Sequence, residues 1–206
     1  MTSIDDAPTV RSGSDADPLV LLLHGYGSNE HDLPGLMTYL AEGLASASVR
    51  APLTLGPGSY AWVPIAVPGR PDPDVTQEST VALLAWFDEH VAADRPVVLL
   101  GFSQGGLMVT QLLRMRPDRF LAGIVLSGFV LDDTFPGDAA LAVRQVPVFF
   151  GHGDADPVIP PDATERASVW LADHTALTDR TYAGLAHAVS AEELDDVSVF
   201  LRGVLG

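Results

Sequence analysis

The sequence predicts a three-layer α/β fold with a mostly parallel, doubly wound sheet, and three observations carry that prediction. Short aliphatic runs at residues 19–23 and 97–100 read as strands covered on both faces. The segments between such runs repeat their apolar residues at three- and four-residue spacing, the period of an amphipathic helix. Strand and helix then alternate along the chain, which implies βαβ units with right-handed crossovers.

Taken in order, residues 1–17 contain Asp-Asp, Ser-Gly-Ser and Asp-Ala-Asp. They read as a flexible tail with at most one short edge strand near residues 9–11. Residues 18–206 show no internal repeat and no linker, and read as one domain. The strand at 19–23 ends in the turn-rich His24-Gly25-Tyr26-Gly27-Ser28-Asn29. Leu33, Leu36, Met37, Leu40 and Leu44 then recur at helical spacing, and 47–50 is a short strand. Prolines at 52, 57, 64, 68, 71 and 73 are expected to keep helix and strand out of residues 51–74. Loops of that length usually form walls or lids of a site. A helix is expected at 77–90 and strands at 120–126, 146–150 and 177–182. Helices are expected at 163–174 and 191–205, and residues 131–145 form a short excursion with room for one helical turn. Ser190, with Glu193 three positions on, is a capping box for the last helix.

Composition narrows the function. With 206 residues, 47% of them hydrophobic and 18% charged, the chain has enough apolar surface to fold around a substantial core. A formal charge of −16 argues against nucleic acid or anionic membrane as partners. There are no cysteines, which rules out disulfides, thiolate nucleophiles and Cys-ligated zinc. The polar, acidic start lacks the basic and apolar regions of a secretory signal. No apolar run approaches the length of a membrane span. The simplest location is the cytoplasm.

Function is legible at residues 97–106, Val-Val-Leu-Leu-Gly-Phe-Ser-Gln-Gly-Gly. A buried strand runs into Gly101-Phe102-Ser103-Gln104-Gly105, and Leu107, Met108, Gln111, Leu112 and Met115 continue as a helix. A G-x-S-x-G string between strand and helix is a nucleophile elbow, with the serine hydroxyl at the tip of a strained turn. A serine hydroxyl needs a base, and His187 is the candidate, in the small-residue loop between the last strand and last helix. The imidazole in turn needs a carboxylate. Asp156 is preferred because Pro157 restrains its backbone, while Asp154 sits in a turn where its side chain could cap local N–H groups. The order Ser, Asp, His fits a triad of this type. Oxyanion donors are expected from the backbone N–H of Gln104 and of Tyr26, so side-chain changes at these two positions should hurt less than changes at Ser103 or His187.

Other readings stand beside these. His24 is expected to shape the oxyanion loop rather than act as a base, and His152 to be a turn residue. His31, His90 and His174 read as surface positions. His152, Asp154 and Asp156 could instead form the site of a metal-dependent hydrolase, although no H-E-x-x-H occurs. Trp62 could line an acyl pocket or merely pin the proline-rich loop.

Four pieces of the chain resemble a known family: Leu22-Leu23-His24-Gly25-Tyr26-Gly27-Ser28-Asn29, Gly101-Phe102-Ser103-Gln104-Gly105-Gly106, His152-Gly153-Asp154-Ala155-Asp156-Pro157-Val158-Ile159-Pro160 and Gly184-Leu185-Ala186-His187. The family is the phospholipase/carboxylesterase group of small α/β-hydrolases, which includes bacterial carboxylesterases and acyl-protein thioesterases. The resemblance implies a three-layer α/β-hydrolase fold without a cap domain. It implies Ser103 as nucleophile, Asp156 as acid, His187 as base, and Tyr26 and Gln104 as oxyanion donors. Trp62 and Leu53 become candidates for the substrate pocket. Val63-Pro64 stands where the family usually has an aromatic residue and Asp. The expected activity is cleavage of carboxylic esters of short to medium acyl chain through an acyl-enzyme, with thioesters open to the same chemistry. No cofactor and no metal are called for. The expected partner is a small-molecule ester, and the chain would act as a monomer or homodimer. A catalytically silent member of the fold that only binds ligands is the remaining alternative.

Overall fold

Successive side chains of a strand leave on opposite faces, and this alternation decides the layers. Leu19, Leu21 and Leu23 join one core cluster with Leu83, Leu112, Leu141 and Leu171. Val20 and Leu22 between them join a second cluster with Val197 and Leu201. The computed structural model describes residues 2–206. Its elements are β1 (Val10–Ser12), β2 (Leu19–Leu23), β3 (Ala45–Val49), β4 (Leu53–Gly56), β5 (Ser59–Ala61) and α1 (Pro73–His90). There follow β6 (Val97–Phe102), α2 (Gln104–Met115), β7 (Ala122–Leu126), α3 (Asp138–Arg144), β8 (Pro147–Gly153), α4 (Pro161–His174), β9 (Ala176–Tyr182) and α5 (Ala191–Leu205).

Seven strands form the main sheet in the order β1-β3-β2-β6-β7-β8-β9. Every pairing is parallel except that of β1 with β3. Helices α1 to α4 supply the first core cluster, and α5 supplies the second. This is the doubly wound, three-layer arrangement expected. The carboxyl ends of β2, β6, β8 and β9 share one edge, where parallel sheets build their sites. No helix among the described residues is long and apolar enough to cross a membrane.

The short edge strand expected near residues 9–11 forms as β1, and Asp6 in the same segment accepts a hydrogen bond from Trp86 Nε1 at 3.0 Å. Several other local expectations are corrected. The helix expected from Leu33 shrinks to a 3-10 turn at Pro34–Tyr39. The loop 51–74, expected to hold no strand, contains the β4/β5 hairpin. Pro52 precedes β4 and Pro57 lies in its turn, so neither removes a donor from the ladder, and Gly58 supplies the positive φ of 70° that the turn requires. Helix α1 starts before its apolar pattern begins. The Asp72 carboxylate caps it by accepting from Val75 N at 3.1 Å, and Pro73 occupies the first turn, where no N–H is missed. The excursion 131–145 is short as expected, and its helical turn is α3. It is held by the wholly buried Arg114, whose guanidinium donates to both Asp138 oxygens at 2.8 Å and to Asp133 O at 2.7 Å.

The capping box at α5 forms as expected, with Glu193 N–H donating to Ser190 Oγ at 3.0 Å. Its carboxyl group, however, is fully buried against β8, and a side chain on Gly151 would lie 2.1 Å from Glu193 Oε1. That oxygen has no hydrogen-bond partner among the described residues. Burial pushes the group up from 4.5 to about 7. Between those values the folded chain holds a proton that the unfolded chain has released. Its contribution to stability is therefore full below about pH 4.5 and is lost as pH rises to about 7. Glu193→Gln keeps a capping partner and removes the titration. The wild type should lose about 2–3 kcal/mol relative to the variant between pH 5 and 8, read as the difference in urea midpoints.

Candidate active site

Ser103 sits between β6 and α2 with φ 55° and ψ −115°, a region L-residues rarely occupy. The bend is possible because its flanking glycines have no side chains. A Cβ on Gly101 would lie 2.2 Å from Gly105 O, and one on Gly105 would lie 1.8 Å from Leu23 O. Ser103 N–H donates to Leu126 O at 2.8 Å, tying the elbow to β7.

His187 lies 84 residues further along, in the loop after β9, yet its Nε2 is 2.9 Å from Ser103 Oγ. Its Nδ1 is 2.7 Å from Asp156 Oδ2. The other oxygen of Asp156 accepts from Val158 N at 2.8 Å and Ile159 N at 3.0 Å. Both oxygens are therefore engaged. Phe102 packs its ring 4.9 Å from that of His187. The order hydroxyl, imidazole, carboxylate is the arrangement by which a base activates a nucleophile and a carboxylate fixes the base's tautomer.

Asp154, the alternative acid, is engaged elsewhere. Its Oδ1 accepts from Gly184 N at 2.6 Å, and Ala155 N–H donates to Leu185 O at 3.1 Å. It ties the Asp156 loop to the His187 loop. His152, expected in a turn, stands on β8 in register with Thr181, because that strand runs three residues beyond its apolar core. Its Nε2 lies 3.4 Å from Asp179 Oδ1. The three side chains of the metal alternative thus turn to three separate partners. Among the described residues no group of three or more His, Asp or Glu side chains is placed to hold a metal ion. A cavity of about 410 Å³ adjoins Asp156, but its walls are His152, Asp154, Ile159, Ser168 and Asp179, and include neither Ser103 nor His187. It flanks the site and is not its cleft.

Tyr26 follows Gly25 in the loop after β2. A side chain on Gly25 would lie 3.5 Å from Ser103 Cβ, so this backbone runs beside the Ser103 side chain. The Tyr26 side chain is exposed. Gln104 is the first residue of α2, where an N–H has no acceptor within the helix. Its side chain, given no role of its own by the sequence, is buried. Oε1 accepts from Trp62 N at 2.8 Å and Nε2 donates to Val63 O at 2.7 Å, clamping the loop after β5 onto the elbow. No sequence signal marks this, because Gln and loop meet across 42 positions. Trp62 is buried, and its Nε1–H donates to His24 O at 2.8 Å. Of its two expected roles, pinning the loop is the one these contacts supply. Leu53 opens β4, half-buried and opposite Ala61. His24 is wholly buried, His31 is exposed, and His90 and His174 stack on Trp86 and Trp170.

Comparisons with known proteins bear on the family and the fold. The chain is 28% identical over 222 residues to acyl-protein thioesterase 1 of Kluyveromyces lactis, covering 95% of this chain and 97% of that one. It is similar in fold to a carboxylesterase from Mesorhizobium loti, with a TM-score of 0.79 at 21% identity over 93% of this chain and 90% of the other. The Bacillus cereus carboxylesterase gives 0.78 at 20% identity, covering 95% and 93%. The family model described as Phospholipase/Carboxylesterase matches residues 74–205, a span holding Ser103, Asp156 and His187. By that match the chain belongs to the phospholipase/carboxylesterase family.

Proposed function

We propose that this ester hydrolase works through Ser103, His187 and Asp156 on carboxylic esters of short to medium acyl chain, with thioesters open to the same steps. The observation that carries the reading is the unbroken line of contacts from Ser103 Oγ through His187 to Asp156, at 2.9 and 2.7 Å. His187 Nε2 takes the hydroxyl proton as Oγ attacks the acyl carbonyl, and Asp156 steadies the imidazolium. The tetrahedral oxyanion is met by the amides of Tyr26 and Gln104. Its collapse expels the alcohol or thiol, which receives the proton from His187, and leaves the acyl group on Ser103. Water, deprotonated by the same imidazole, then attacks the acyl carbonyl, and as the acid leaves His187 returns that proton to Ser103 Oγ. His187 thus carries one proton from Ser103 to the leaving group and a second from water back to Ser103. Exposed Tyr26, Ile65, Val67 and Val158 on the flanking loops offer apolar surface to a short acyl chain. The chain acts as one domain, and its lack of cysteine suits the reducing cytoplasm.

Intact mass after treatment with a fluorophosphonate tests the reading, followed by kcat/KM on p-nitrophenyl esters from acetyl to dodecanoyl. A single adduct on Ser103 and a maximum at or below octanoyl are expected. Activity abolished by a chelator, with no adduct, would return the metal-dependent alternative. No turnover on the whole series, with tight ligand binding, would favour the silent module.

A further inference from the structure

We infer that His24 is a positioning residue for the oxyanion site: as the Nδ1–H tautomer it holds the Gly25–Tyr26 peptide so that the Tyr26 amide faces Ser103. This rests on the reading of Tyr26 N–H as an oxyanion donor.

The tautomer follows from a partner whose role is not open to choice. Ala51 N–H can only donate, and it does so to His24 Nε2 at 3.1 Å. Nε2 is therefore bare, and a neutral ring carries its one hydrogen on Nδ1. Nδ1 faces Gly25 O at 2.8 Å, and that oxygen can only accept. Burial of the ring, which outweighs the pull of the Gly25 carbonyl, lowers its pKa and keeps it neutral. The ring is itself held, tilted against Trp62 at 5.5 Å, while Trp62 Nε1–H donates to His24 O.

The consequence lies across the peptide bond. Gly25 C=O and Tyr26 N–H belong to one planar unit, and no peptide bond among the described residues is cis. In a trans peptide these groups point to opposite sides. Gly25 O is drawn towards His24 and also accepts from Ser28 N at 3.3 Å. The Tyr26 N–H is thereby turned the other way, and a Cβ on Gly25 would meet Phe102 and Ser103 at 3.2 and 3.5 Å. One imidazole proton sets the direction of an amide that acts only when negative charge develops on the substrate oxygen.

The test compares His24→Asn, His24→Gln and His24→Ala with wild type. Asparagine places an amide donor near the Nδ1 position, whereas glutamine reaches the Nε2 position. Glutamine and alanine should lower kcat by about 10²–10³, the cost of one oxyanion donor, with KM within a few-fold. Asparagine should keep kcat within about tenfold of wild type. The affinity of a trifluoromethyl ketone, whose adduct carries the oxyanion, should fall in the same order. An asparagine variant no better than alanine would overturn the inference. So would ¹⁵N NMR of the wild-type ring showing an Nε2–H tautomer, a measurement that requires no variant to fold. A Ser103→Ala chain with full esterase activity would instead remove the serine-hydrolase reading itself.

Discussion

Ser103→Ala is expected to lower kcat on a p-nitrophenyl ester by about 10⁴–10⁶, with KM changed far less. The loss comes from the reacting atom alone. Alanine retains the Cβ, so the φ of 55° and its strain persist, and the Oγ contact with His187 at 2.9 Å is the interaction removed. The acyl-enzyme can no longer form, and only binding and the oxyanion amides remain to assist water. A second substitution separates chemistry from strain. Ser103→Gly should be equally inactive yet more thermostable than Ser103→Ala, because glycine accepts positive φ without the Cβ penalty. Residual turnover above about one part in a thousand in both variants, after contaminating esterase is excluded, would show that the hydroxyl is not the nucleophile.

Gly105→Ala carries the next largest effect. Its new methyl would sit 1.8 Å from Leu23 O, 2.5 Å from Leu23 C and 2.9 Å from His24 O, all of them main-chain atoms. No rotamer can relieve such a clash, so α2 and the end of β2 must separate. A cost of about 3–5 kcal/mol is expected, at the upper end for overpacking. Because the displaced strand carries the His24–Tyr26 loop, whatever folds should also lose at least about 10² in kcat. Gly203, within α5, supplies the contrast: nothing lies within 4 Å of a Cβ placed there. Gly203→Ala should be neutral or stabilise by up to about 1 kcal/mol. Denaturant midpoints for the two variants measure the difference. Equal stabilities would contradict the packing of the elbow against β2.

Signals confined to a few neighbouring residues are legible in the amino-acid sequence alone. The elbow needs only a buried strand, two spaced glycines and a helical repeat, and all fall within residues 97–115. The capping box at Ser190 and Glu193 is likewise local and forms as read. Expectations fail where the fate of a proline or of a helical repeat depends on what the segment packs against. Pro52 and Pro57 flank the strands of a hairpin instead of forbidding it. His152 leaves its expected turn because β8 gains ladder bonds from β9 well past its apolar residues.

The order of residue types along the chain determined which chemistry is proposed for this protein: a hydroxyl at a strand-to-helix bend, then a carboxylate, then an imidazole, each following a strand of the parallel part of one sheet. Which carboxylate meets the imidazole, what the Gln104 side chain grips and which way His24 holds its proton were decided only when distant segments came together. Hydrogen bonds act over about 3 Å, whereas Gln104 and Trp62, or His24 and Ala51, are 42 and 27 positions apart. No local pattern encodes such pairings, and packing alone brings them within reach.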